Sequence, residues 1–158
     1  MLTSPIVFSD EERGLEVWID DDGRAAYALM CSLGSAPAML GGVWLYNSPN
    51  AAAGGPRPHG KHAGLDPNPP EHIVDEPFEP IAADDEVDVE FGGGSGLEAY
   101  AEISIRSTFH AYLEARARTG WCILAKKSNA LAKPMIVTRD ADGSDDVHLV
   151  DYDGDSAS

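Results

Sequence analysis

Cysteine is nearly absent: the 158-residue chain has two, Cys31 and Cys122. One pair makes no disulfide framework, and neither residue belongs to a Cys-x-x-Cys metal spacing. Both sit in apolar runs, Leu29-Met30-Cys31 and Trp121-Cys122-Ile123-Leu124. The expectation is two buried free thiols acting as small hydrophobes, with a disulfide as the alternative if two strands bring them together. Long apolar runs are missing too. No window approaches the roughly 18 residues a membrane helix requires. The start, Met1-Leu2-Thr3-Ser4-Pro5, has no basic flank and no apolar stretch of signal-peptide length. These absences point to the cytoplasm and away from a membrane.

Catalytic signatures are lacking as well. There is no Gly-x-Ser-x-Gly elbow and no cysteine with a histidine near it in sequence. His110 and His148 lie in apolar runs, where a satisfied core or edge histidine is the common case. Carboxylate pairs abound, but 27 acidic residues make no single pair informative. The sequence therefore supports no enzyme assignment, no cofactor and no metal.

Basic residues are few, 11 against 27 acidic ones, for a net charge of −16. A field of that sign disfavours nucleic acid and anionic lipid, and favours fast association with a basic protein. The imbalance is also localised. Residues 75–102 hold ten carboxylates (Asp75, Glu76, Glu79, Asp84, Asp85, Glu86, Asp88, Glu90, Glu98 and Glu102) and no Lys or Arg. Residues 103–139 then hold Arg106, Arg116, Arg118, Lys126, Lys127, Lys133 and Arg139 against Glu114 alone. Aromatics lie among these bases, the mix used for single-stranded nucleic acid. The simpler expectation is that the bases pair internally with the acidic block.

What the chain does have is β patterning. Leu15, Val17 and Ile19 alternate with Glu16, Trp18 and Asp20, the period of a half-buried strand. Asp20-Asp21-Asp22-Gly23 reads as a turn, and residues 25–31 as the return strand. Gly34, Pro37 and Gly41-Gly42 read as breakers before a third strand, Val43-Trp44-Leu45-Tyr46. Val87, Val89 and Phe91 alternate with acids. After Gly92-Gly93-Gly94-Ser95-Gly96, a flexible connection, Leu97, Ala99, Ala101, Ile103 and Ile105 alternate with polar residues. This is the cleanest hairpin in the chain. It places Glu86, Asp88 and Glu90 beside Glu98 and Glu102, a destabilising arrangement unless a cationic partner meets it. Residues 107–119 read as strand through Glu114 and then a basic turn. The helix alternative, capped by Ser107 or Thr108 and stopped by Gly120, gives one helix near 108–118. Residues 121–125 read as a further strand, Lys126-Lys127-Ser128-Asn129 as a turn, and Met135-Ile136-Val137 and Val147-His148-Leu149-Val150 as short closing strands.

Residues 47–80 hold eight of the chain's 11 prolines and read as a long Pro/Gly-rich loop. Within it His59, His62 and His72 are candidate metal ligands, but no helix fixes their spacing, and ordinary loop histidines are expected. Asp140-Ala141-Asp142-Gly143 and Asp151-Tyr152-Asp153-Gly154 echo calcium loops but place Gly at position 4 rather than 6, so they read as turns and tail. The expected architecture is mainly β: a single domain over 1–150, an antiparallel sheet or sandwich of about 6–8 strands, with 151–158 as a flexible acidic tail. The alternative is α+β with the one helix.

In size, charge and lack of catalytic motifs the chain is similar to bacterial immunity proteins, a likeness of class that carries no residues over. It implies an inhibitor or antitoxin that neutralises a basic toxin or enzyme through the 75–102 surface. An enzyme with a His/carboxylate site in the 47–80 loop, and a scaffold component of a larger assembly, are the competing readings.

Overall fold

The computed structural model describes residues 2, 4–33, 38–48, 67–68, 70–75, 77–139, 141–143 and 145–149. The chain is mainly β, with 55% strand in two sheets of four and six strands. The smaller sheet is an antiparallel meander of β1 (Ile6–Asp10), β2 (Leu15–Asp21), β3 (Ala25–Ser32) and β4 (Met39–Asn47), in that order. The larger holds β5 (Val87–Gly93), β6 (Ala99–Ile105), β7 (Thr108–Glu114), β8 (Trp121–Cys122), β9 (Lys133–Arg139) and β10 (Asp145–Leu149), in the order β10-β9-β8-β7-β6-β5. Among the described strands β8–β9 is the one parallel pair. The ten strands among the described residues exceed the expected 6–8, chiefly because of β1. Its Ile6-Val7-Phe8-Ser9-Asp10 is too short to alternate clearly, yet it pairs with β2 along its whole length.

The β2–β3 hairpin forms as its pattern requires. Leu15, Val17 and Ile19 are buried while Glu16, Trp18 and Asp20 are half-buried. The turn is fastened by its own side chains. Asp21 Oδ1 accepts the Gly23 N–H at 2.9 Å, and Asp22 Oδ1 accepts the Arg24 and Ala25 N–H groups at 2.9 and 3.1 Å. Gly23 supplies the positive φ.

Gly41 and Gly42 lie inside β4, not before it as the sequence suggests. A Cβ on Gly41 would sit 2.5 Å from the Ala117 carbonyl oxygen, and one on Gly42 would sit 2.8 Å from Leu29 Cδ2. These glycines permit close approach of two backbones. The Gly42 N–H donates to the Arg118 carbonyl, the Gly120 N–H to the Gly42 carbonyl, and the Trp44 N–H to the Leu131 carbonyl. β4 is thus the seam between the sheets. That explains why Val43, Trp44, Leu45 and Tyr46 are all buried rather than alternating. Both sheets feed one apolar core, with Ile103, Leu113 and Ala111 on one side and Val17, Ile19 and Met30 on the other.

Residues 107–119 are strand β7 and a turn; there is no helix. β6 and β7 are joined by a two-residue turn with Arg106 and Ser107 both at positive φ. That geometry suits a tight hairpin but costs non-glycine residues on the order of 1 kcal/mol each. The strand expected over 121–125 ends at Cys122. The chain then turns so that Ala125 can bridge to Ile73. The 47–80 loop is described only at its ends. There Asn47 Nδ2 donates to the Asn68 carbonyl at 2.8 Å and Asn47 Oδ1 accepts the Asn68 N–H at 2.9 Å. His59, His62, Glu76 and the 151–158 tail lie outside the described residues.

Candidate binding face

Strand alternation assigns the outer face of the larger sheet. Ala99, Ala101, Ile103 and Ile105 of β6 point into the core, so Tyr100, Glu102 and Ser104 point out. Register then aligns one residue from each of five strands across that face: Glu90, Glu102, Tyr112, Trp121 and Lys133. The next row holds Gly92, Tyr100 and Glu114. Tyr100 lies over Gly92, where any Cβ would collide with its ring. The rings form a ladder, with centroids 5.5 Å apart for Tyr100–Tyr112 and 5.8 Å for Tyr112–Trp121. The Lys133 ammonium ends it, 4.5 Å from the Trp121 centroid.

The electrostatics of this face follow from the register. Glu90 and Glu102 are direct cross-strand partners, the acid-beside-acid stacking the sequence implies. Partial burial and then the Glu90 charge raise the Glu102 carboxyl above its ordinary value. Tyr112, desolvated and hydrogen-bonded to Glu114 Oε2 at 3.2 Å, is held well above the ordinary tyrosine range. Like charges about 6 Å apart repel by ~0.7 kcal/mol even in bulk water and by more near a protein surface.

The ten carboxylates of 75–102 do not gather in one patch. Asp88, Glu90 and Glu102 share the outer face. Asp84, Asp85 and Glu86 form a 3-10 turn at the start of β5. Glu98 belongs to the turn at the other end of the hairpin, about 20 Å away at strand rise. Glu79 is exposed before the 84–86 turn, and Asp75 is exposed on the segment whose Val74 N–H donates to the Leu124 carbonyl. Among the described residues, one ion pair joins the acidic block to the basic segment. Arg106 Nη1 meets Glu86 Oε1 at 2.7 Å. The Ala82 N–H and Arg106 together hold the Glu86 carboxyl below its usual value.

Sequence reading missed a second constellation. His110 and Cys122 come together, Nε2 to Sγ 3.6 Å, although 12 positions separate them. The His110 Nε2–H donates to the Leu45 carbonyl at 2.7 Å, which fixes the tautomer. Burial lowers His110 to about 4 and pushes the Cys122 thiol up to about 12. A reactive thiolate–imidazolium pair needs the opposite shifts. With the histidine 1% and the cysteine 0% exposed, this is packing. Cys31 lies on β3 opposite Glu16, and both thiols are free.

Among the described residues no group of three metal-ligating side chains exists. His72 Nδ1 is taken by Asn129 Nδ2 at 2.7 Å. No helix of the described residues is long and apolar enough to cross a membrane. No protein family, no curated protein and no solved structure matches the chain.

Proposed function

We propose that the protein is a small acidic, cytosolic protein-binding module. It acts as an inhibitor or immunity-type protein that neutralises a basic toxin or enzyme. The carrying observation is the Glu90–Glu102 pair on a face that also bears Tyr100 and Tyr112. Opposed carboxylates weaken a sheet. A basic partner reverses that penalty, since each cation placed between them is attracted by both. Aromatic rings beside the acids supply the contact area typical of interface hot spots. The docking surface is accordingly centred on Asp88, Glu90 and Glu102, with Glu98 and the 84–86 turn towards its ends.

An exposed apolar patch around Trp44, Tyr46 or Trp121 would support a scaffold role; all three are buried. The enzyme reading places its site in the 47–80 loop, whose His59 and His62 lie outside the described residues; the one described carboxyl on this face that burial raises is Glu102. The two readings separate by variants. For a docking face, Glu102→Gln weakens binding modestly and charge reversal weakens it strongly; for an enzyme, Glu102→Gln alone abolishes turnover.

The test is capture from the native host on the immobilised chain, with products of neighbouring genes assayed first. The expected result is a basic protein whose activity is blocked, and whose retention fails with an Asp88→Lys/Glu90→Lys bait. Equal retention on that bait would remove this face from the account.

A further inference from the structure

β10 closes part of the outer face. Val147 and Leu149 join Glu102, Phe109 and Tyr112 around a pocket of about 220 Å³. Beyond Tyr112 lies a second hollow of about 140 Å³, which takes in Glu98, Tyr100 and Glu114. Both volumes fall below the roughly 300–1,000 Å³ of small-molecule sites; they suit a single side chain.

The first pocket combines one carboxylate, two aromatic rings and two aliphatic side chains. Elsewhere the molecule holds a cation of its own between one ring and one carboxylate. The Arg106 guanidinium stands 5.1 Å from the Phe78 centroid while its Nη1 donates to Glu86 at 2.7 Å. The charged group in the pocket's own lining is Glu102. Glu90 acts on Glu102, and Glu114 and Glu102 act on Tyr112, while Arg116 lines the second hollow and Lys133 lies over Trp121.

We propose that this pocket receives an arginine side chain of the basic partner, its guanidinium paired with Glu102 and stacked on Tyr112 or Phe109. The inference rests on the reading of this face as a docking surface. Arginine fits better than lysine because its planar, weakly hydrated head stacks on rings and loses less on leaving water. Its methylene stem would lie along Val147 and Leu149.

The probes are acetyl-Gly-Arg-Gly-amide and its lysine and citrulline counterparts, titrated into the full chain and followed by side-chain NMR. The arginine peptide should give saturable shifts confined to Glu102, Phe109, Tyr112, Val147 and Leu149. The lysine peptide should bind several-fold more weakly, and the uncharged citrulline peptide should leave the spectrum unchanged. Glu102→Gln, nearly isosteric and relieved of repulsion, should weaken the arginine peptide about tenfold. Equal responses to arginine and citrulline, shifts centred elsewhere, or saturation by a neutral oligosaccharide alone would each overturn the proposal. If charge reversal at Asp88 and Glu90 slows partner association while the arginine peptide gives no response, the pocket fails and the docking face stands. If the peptide binds as described but no basic partner is captured, the pocket stands and the docking reading fails.

Discussion

Three side chains show how far burial, rather than residue type, decides chemistry in this protein. His110 loses its charge because desolvation outweighs the hydrogen bond to the Leu45 carbonyl. Its folded value is depressed from 6.5 to about 4, so the unfolded chain binds its proton first as pH falls. Stability from this group is full above 6.5 and lost between 6.5 and about 4, on the order of 3 kcal/mol in all. Nitrogen NMR should find His110 neutral and Nε2-protonated at pH 5.5; a midpoint near 6.5 would refute this. Cys122 follows the same logic. It should resist alkylation at pH 8 until the protein is unfolded. Glu102 has the opposite sign from His110. Its folded value is raised, so the native state holds the proton more tightly than the unfolded chain does. That contribution is complete below the ordinary 4.5 and lost as pH rises through the raised value. Glu102→Gln should therefore stabilise the fold at pH 7, by up to about 1 kcal/mol, in urea melts. A destabilised variant would mean the carboxylate has a partner that the register does not provide.

Between elements, the contacts that matter include the polar links made by β4. Tyr46 on β4 donates from its hydroxyl to Asp21 Oδ2 on β2 at 2.7 Å and accepts the Ile81 N–H at 2.9 Å. Its ring packs on Phe78, 5.1 Å between centroids, and Phe78 in turn on His110 at 4.8 Å. Tyr46→Phe keeps the ring but removes the hydrogen bond to the buried Asp21 carboxylate and the one from the Ile81 N–H. It should cost about 1–3 kcal/mol in chemical denaturation, and a loss under about 0.5 kcal/mol would show that the link is idle. At this scale the sequence was legible wherever local pattern decided the outcome. Strands β2, β5, β6 and β7 follow from period-2 alternation, β3 follows from the Asp/Gly turn before it, and the Glu90–Glu102 apposition follows from the second hairpin. What escaped depended on distant chain. Gly41 and Gly42 look like breakers until Ala117 and Arg118 lie against them. The 121–125 run looks like one strand until Ile73 claims Ala125. The His110–Cys122 pair and the Tyr100–Tyr112–Trp121 ladder exist only once three strands share a register.

Taken whole, the molecule divides its charge unevenly. Arg13 is spent on Asp10 at 2.7 Å and Arg106 on Glu86, while Lys133 sits on Trp121. The outer-face acids keep their field, against a net charge of −16. A surface of this kind acts mainly on encounter rate. On the proposed reading it would steer a basic partner at low salt, and it is screened beyond about 8–10 Å at physiological ionic strength.

The most direct measurement is therefore the association rate constant for the captured partner, by stopped flow across a salt series. The parent chain should show a steep fall with ionic strength. Asp88→Lys/Glu90→Lys should associate at least about tenfold more slowly at low salt and with a flattened slope. Rates and slopes that match the parent's would contradict the claim that this face is where the protein binds.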